Sequence, residues 1–397
     1  MRKPTHRRRN EHPAPDMNAF RKYLIDACII VTVTLVALVV LEYAARIASA
    51  AHEKFVNIRT NPVIARQDWG SQHKEDESRL TYNYAAYVGF REGSLSSPTI
   101  NVDDEGRRRV PGNCERDGRI TIWTFGGSTM FGYGAPDEGT IPAHLVRILN
   151  GKGRCTRIVN FGAGDWQSSQ GVVQLTRALA RGSRPDTVVF YDGINDTSVV
   201  LEGSSPGDMD KLADSILGSA FDKQPGILRQ ISRHSVFVRI LRNRVWRPLA
   251  ETMLHEHSKS LDQNVSALAA ATAGVYAENL RIVDALARQY SFGVYFFLQP
   301  LPLISGKSLT VAERAMREAD AKWRTDARLY REFYAAYRAK GHIQGNVRLF
   351  DLSGIFDGSN MEIFADNEHL LPEGNRIVAE RIAHEIESGT AERPGVR

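Results

Sequence analysis

The sequence predicts an α/β fold: a central five-stranded parallel sheet with helices on both faces, preceded by one membrane-crossing helix near the amino end. Three observations predict it. From about residue 116, short apolar runs alternate with helix-length stretches. Strands alternating with helices imply parallel pairing and right-handed crossovers. Ahead of them, Tyr23 to Ala45 is nearly all apolar. Finally, clusters of Gly, Asn, Asp and Ser follow the strands, where open α/β sheets place their ligands.

The amino end explains the charge. Residues 1–22 hold seven of the 51 basic side chains and two of the 46 acidic ones. That segment carries the whole formal net charge of +5. The basic pI therefore belongs to a tail and gives no ground for a nucleic-acid partner. Behind it, an uninterrupted apolar core from Ala27 to Leu41 lies between Asp26 and Glu42. With its flanks it is long enough to cross a bilayer. Basic residues before it keep the amino end cytoplasmic and send the remainder outside, so the expected location is a single-pass membrane protein with a periplasmic domain. Ala48-Ser49-Ala50 resembles a cleavage site, but Glu42 and Arg46 lie between it and the apolar core, which favours an uncleaved anchor.

There are three cysteines. Cys28 lies in the apolar segment, while Cys114 and Cys155 each stand just before an expected strand. Neighbouring parallel strands start side by side, so a Cys114–Cys155 disulfide is expected in an exported domain. No C-x-x-C pattern suggests zinc, and no metal or cofactor is expected.

The expected domains are a tail (1–22), a membrane helix (23–45), a stalk and amino-terminal extension (46–115) and a main domain (116–390) interrupted by a helical insertion (197–260). Within the main domain, Arg119–Phe125 reads as the first strand and ends in Gly126-Gly127-Ser128. Thr140 caps the next helix, with Pro142 in its first turn, and Asn150-Gly151 stops it. Arg157–Phe161 is the second strand, followed by a helix from about Gln167 to Arg181. Thr187–Tyr191 is the third strand. After the interruption, Asp262–Tyr290 reads as a long helix and Gly293–Leu298 as the fourth strand. A helix from Thr310 to near Gly341 follows, opened by a Thr310/Glu313 capping box. Val347–Leu352 is the fifth strand, and a last helix spans Pro372 to about Glu387.

Four motifs carry chemistry: Gly127-Ser128, Asn160-Phe161-Gly162-Ala163-Gly164-Asp165, Tyr191-Asp192-Gly193-Ile194-Asn195-Asp196, and Asp366-Asn367-Glu368-His369. A serine nucleophile needs a base, the base an orienting carboxylate, and the oxyanion a set of donors. Ser128, His369 and Asp366 can supply the first three. The N–H of Ser128, a main-chain N–H at Gly164 and the Asn195 amide can supply the donors. Asp196 reads as structural. His255-Glu256-His257 has the wrong spacing for a metal pair on a helix and reads as surface.

Together these blocks resemble the SGNH (GDSL-type) hydrolase superfamily over roughly residues 98–390, as a membrane-anchored member. GGST stands for the GDS block, NFGAG for the glycine block, DGIND for G-x-N-D and DNEHLLPEGN for D-x-x-H. The resemblance implies a flavodoxin-like three-layer α/β/α sandwich and ester hydrolysis or acyl transfer through an acyl-serine. It implies Ser128, Gly164, Asn195 and His369 as the four namesake residues, with Asp366 completing the triad. Gly127 replaces the family's aspartate. The glycine block is compressed, and a gapless alignment of its flanks puts Asp165 rather than Gly164 at the oxyanion position; the donor is a main-chain N–H that either residue could provide, and Gly164 is favoured. Met130 excludes the GxSxG elbow of α/β-hydrolases.

The expected substrates are O-acyl, possibly O-acetyl, groups on a cell-envelope glycan or lipid. An O-acyltransferase with a sugar hydroxyl in place of water would use the same residues. A non-catalytic carbohydrate-binding module would share only the fold. Residues 227–249 mix an apolar stripe with six arginines. They read either as a basic lid meeting an acidic polysaccharide or anionic headgroups, or as a solvated helix face over a local core.

Overall fold

A computed structural model describes residues 17–57, 63–201, 205–207, 247–319, 323–339 and 347–391. By internal contacts the chain falls into two units: Met1–Ile58 with Pro225–Glu251, and Arg59–Gln224 with Thr252–Arg397. The described part of the first is chiefly helix α1 (Met17–Asn57). Its stretch Cys28–Arg46, 19 residues, is long and apolar enough to cross a membrane by length and composition. The hydroxyls of Thr32 and Thr34 donate to the carbonyls of Cys28 and Ile30, each at 2.8 Å. These two hydroxyls are thus satisfied within the helix.

In the second unit, the amino-terminal extension holds more structure than its sequence predicts. Helix α2 (Gly70–Ser78) precedes two antiparallel pairs: β1 (Tyr82–Ala85) with β2 (Gly89–Glu92), and β3 (Leu95–Ser96) with β4 (Asn101–Val102). Strands of two to four residues are too short to show an apolar period.

The central sheet has five parallel strands: β5 (Ile120–Gly126), β6 (Thr156–Asn160), β7 (Thr187–Asp192), β8 (Gly293–Leu298) and β9 (Val347–Asp351). Their order is β6-β5-β7-β8-β9. The first strand of the sheet lies between the second and third, which is the flavodoxin-like order. The chain reverses direction across the sheet at β5, so a crevice opens at the carboxyl ends of β5, β6 and β7.

Period-two alternation builds two cores. Trp123, Phe125, Val188, Phe190, Val294, Phe296 and Leu298 face one side, packed with α5 (Ser168–Ala180), α7 (Arg247–Tyr290) and α9 (Trp323–Ala339). Ile122, Ile158, Val189, Tyr191, Tyr295 and Phe297 face the other, under α4 (Ile141–Gly151) and α10 (Pro372–Ala391). Across four strands, the rings of Phe161, Phe125, Phe190 and Phe296 stack with successive centroid distances of 5.1, 4.9 and 4.5 Å. Each offset pair adds roughly 0.5–1.5 kcal/mol beyond its buried area.

Caps follow the sequence closely. Thr140 Oγ1 accepts the Ala143 N–H at 3.3 Å at the start of α4. Thr310 and Glu313 form the reciprocal bonds of a capping box, at 2.8 and 3.3 Å, where α8 (Val311–Ala319) begins. Element bounds differ more. Helix α7 is described from Arg247 rather than from the expected Asp262. The single helix expected from Thr310 to Gly341 is described as α8 and α9, with residues 320–322 outside the described part. Two short helices not expected from sequence, α3 (Ser128–Phe131) and α6 (Ile194–Leu201), follow β5 and β7 directly.

Cys114 and Cys155 are bonded, their Cα atoms 5.3 Å apart. They join the chain ahead of β5 to the chain ahead of β6, two paired neighbours.

Candidate active site

The site begins where β5 ends. A Cβ on Gly126 would lie 2.4 Å from the Tyr191 carbonyl, so only glycine lets β5 and β7 end this close together. A Cβ on Gly127 would lie 2.2 Å from Nδ2 of Asn195. The residue occupied by aspartate in the family pattern must therefore be small here, because the Asn195 amide takes that space. Ser128 then opens α3, where a first-turn N–H has no intrahelical acceptor. Its side chain is buried at the carboxyl edge of the sheet.

The segment before α10 brings the other two residues. Glu313 Oε1 accepts the N–H groups of Ile363 and Phe364 at 2.9 and 3.0 Å, and the buried Lys307 ammonium sits 2.6 Å from Oε2. This anchors the chain just ahead of Asp366. Asp366 Oδ1 accepts from the N–H groups of Glu368 and His369 at 2.8 and 2.7 Å, which wraps the turn around its carboxylate. Its Oδ2 lies 2.7 Å from Nδ1 of His369, and Nε2 of His369 lies 2.7 Å from Oγ of Ser128. With Nδ1–H donated to Asp366, Nε2 is left to accept the serine proton.

Electrostatics agree with that direction. Burial pulls the His369 imidazole down, but the Asp366 charge and hydrogen bond outweigh it and hold His369 up to about 9. Burial likewise raises Asp366, yet the His369 charge and the hydrogen bonds it accepts bring it down to about 2. An ionised Asp366 makes His369 a stronger base, which takes the serine proton only in its neutral form.

Two of the three expected oxyanion donors already have acceptors. Asn195 stands beside Gly127 and donates through Nδ2 to the Trp166 carbonyl at 2.9 Å. The N–H of Gly164 is donated to Oε1 of Glu92 at 2.7 Å. Asp165, next to it, has a left-handed backbone with φ 55°.

Several positioning residues escaped the sequence reading. Gln299, just past β8, donates to Thr129 Oγ1 and accepts the Ile194 N–H at 3.0 Å, so it links the neighbours of Ser128 and Asn195. The buried guanidinium of Arg108 pairs with Asp137 at 2.8 Å and donates to the carbonyls of Gly132 and Ala135 at 2.5 and 2.7 Å, which fixes the loop after α3. Asp196, already read as structural from the sequence, receives the N–H of Ser168 at 3.2 Å and its hydroxyl, tying α6 to the start of α5. Burial, then the charge of Asp196, push the Asp192 carboxyl well above its usual range. Tyr133 places its ring 5.7 Å from His369 and its hydroxyl 2.7 Å from that of Tyr82. Most of these partners lie in the extension or in loops, where no periodic pattern announces them.

Among the described residues, no group of three or more His, Cys, Asp or Glu could hold a metal ion. The arginine-rich stretch 227–246 lies outside the described residues, as do the side chains of Arg247, His255 and His257.

No family model matches the chain, and no curated protein does. Among solved structures it is similar to an acetyl xylan esterase at 14% identity and TM-score 0.35, over 67% of this chain and 100% of that one. A lipase/acylhydrolase from Enterococcus faecalis matches at 15% identity and TM-score 0.36, over 68% and 96%. A member of the lipolytic protein G-D-S-L family from Veillonella parvula matches at 13% identity and TM-score 0.35, over 68% and 98%. At these TM-scores the likenesses carry neither the fold nor the chemistry. The sheet order and the hydrogen-bonded geometry of the chain's own residues carry them.

Proposed function

We propose that the chain is a serine esterase of the SGNH (GDSL) type. The observation that carries this is the continuous line from Asp366 through His369 to Ser128, each contact 2.7 Å long, at the switch point of a parallel sheet. Oγ of Ser128 attacks the ester carbonyl and its proton passes to Nε2 of His369. The acyl–oxygen bond breaks, and the leaving alcohol takes that proton. Water then attacks the acyl-serine, giving its proton to His369, and the acid departs as Ser128 is restored. Main-chain N–H groups and the Asn195 amide meet the developing oxyanion. Asp366 holds the tautomer and stabilises the imidazolium.

The substrate we infer is an O-acyl ester, an O-acetyl group among the candidates, on a cell-envelope glycan or lipid. The domain would be tethered outside the membrane by α1. Two features support this placement: the basic tail precedes the apolar segment, and the Cys114–Cys155 bond suits an oxidising compartment.

The test is hydrolysis of p-nitrophenyl esters of increasing chain length, with and without added oligosaccharides. Turnover of the shortest esters with free acid as product is expected. Failure to turn over any ester contradicts the reading. Accumulation of acylated oligosaccharide at the expense of free acid would make the enzyme a transferase instead.

A further inference from the structure

A carboxyl from the amino-terminal extension sits inside the candidate site, and the acyl-transfer chemistry does not use it. Glu92, the last residue of β2, is 2% exposed. Its Oε1 accepts the Gly164 N–H at 2.7 Å, and its Oε2 is buried with no hydrogen-bond partner. Burying a carboxyl with one oxygen unpartnered costs free energy, so its retention calls for an explanation. β2 and the residue before it make two more bonds, to Trp166 and to Gln170 in the first turn of α5. The Phe90 carbonyl accepts from Trp166 Nε1 at 2.9 Å, and the Val88 carbonyl accepts from Gln170 Nε2 at 2.8 Å. Two main-chain carbonyls and one side-chain carboxyl, at alternate residues 88, 90 and 92, thus hold residues 164–170. That loop in turn orients Asn195, whose amide donates to the Trp166 carbonyl.

We propose that Glu92 is a positioning residue of the esterase site: by holding the Gly164 N–H it fixes the turn so that the Asp165 N–H is the loop's oxyanion donor. This rests on the esterase reading above. A main-chain N–H that bonds a carboxylate at 2.7 Å is not available to an oxyanion. Asp165 follows in the left-handed conformation, φ 55°, which turns its peptide away from the preceding one. Among the described residues, its N–H donates to no acceptor. Arg91 adds a second clasp: its guanidinium lies 5.0 Å from the Trp166 ring centre and donates to the Phe161 carbonyl at 3.4 Å. Burial lifts the Glu92 carboxyl up to about 7, and the Gly164 hydrogen bond pulls against that rise. Either protonation state keeps an acceptor oxygen on Gly164.

The full-length protein in detergent tests this with two variants and two readouts. Glu92→Ala removes the acceptor, while Glu92→Gln keeps an oxygen in the same place without the charge. Turnover of p-nitrophenyl acetate is measured per active site, counted by fluorophosphonate uptake at Ser128. Amide hydrogen exchange is followed at Gly164. The expected result for Glu92→Ala is a kcat about 10²-fold lower, the scale of one lost oxyanion donor, with KM little changed. Gly164 exchange should quicken in Glu92→Ala, and Glu92→Gln should restore both readings to near wild type. A normal kcat per site in Glu92→Ala, or a Glu92→Gln as slow as Glu92→Ala, overturns the proposal. If Ser128 of the wild type takes up no fluorophosphonate, the esterase reading fails first and this one falls with it. If Ser128 labels and both variants turn over normally, only the positioning role falls.

Discussion

Oγ of Ser128 and Nε2 of His369 lie 2.7 Å apart although 241 positions separate them along the chain. Two independent anchors make that contact. Parallel pairing of β5 with β6 and β7 sets Ser128 at the sheet edge. Glu313, the capping residue of α8, holds Ile363 and Phe364 and so delivers the Asp366–His369 turn. The predictions below act on this arrangement.

The first concerns pH. An imidazolium cannot accept the serine proton, so kcat/KM should rise with pH along a limb centred near the His369 value of about 9. In Asp366→Asn the largest raising charge and its hydrogen bond are gone, and burial is opposed only by the charges of Glu368 and Glu77, so the limb should move to lower pH. Activity should drop about 10⁴-fold as the imidazole loses its tautomer and orientation. The same shift favours the fold below pH 6.5, and that stabilisation is lost as pH rises through about 9. Rate profiles of the two proteins check this, and an unmoved limb in the variant would contradict it.

Gly127→Asp restores the residue of the family pattern but should impair this enzyme. The new Cβ would fall 2.2 Å from Nδ2 of Asn195 and displace the amide. A loss of one oxyanion donor lowers kcat by about 10²–10³-fold with a smaller effect on KM. Steady-state kinetics decide the matter; a variant with wild-type kcat would show that Asn195 has no part in turnover.

Removing Arg108 should destabilise the second unit. Its side chain and that of Asp137 are 1% and 4% exposed, so Arg108→Ala strands a buried carboxylate. The expected loss is about 3–5 kcal/mol, as for other broken buried pairs. The double variant Arg108→Ala/Asp137→Ala should lose less than the two single losses added. Urea unfolding followed by fluorescence measures all three; strict additivity would refute the coupling.

Reduction of Cys114–Cys155 should cost stability as well. The bond spans 41 positions, for which loop-closure entropy gives about 4 kcal/mol. Comparing the wild type with Cys114→Ser/Cys155→Ser in urea tests this. An unchanged midpoint would mean the bridge does not constrain the unfolded chain.

Much of this architecture is legible along the chain, for local reasons. Strands such as Gly293–Leu298 are apolar on both faces because helices cover both, and each ends at a cluster of turn residues. Ser128, Asn195, Asp366 and His369 could be named because each follows such a strand or opens the last helix. Glu92, Tyr82 and Arg108 could not. They lie in or near strands of two to four residues, and their partners Gly164, Tyr133 and Asp137 are 72, 51 and 29 positions away. One signal was available in retrospect. Val88, Phe90 and Glu92 alternate, and all three are buried. A carboxylate that continues the inward face of a strand is a group with an unstated partner.

The most direct measurement is covalent labelling with a fluorophosphonate probe. The account predicts one phosphonyl group per chain in the wild type, found at Ser128 by peptide mass, and none in a folded Ser128→Ala variant. No labelling of the folded wild type, or equal labelling of Ser128→Ala, would contradict it.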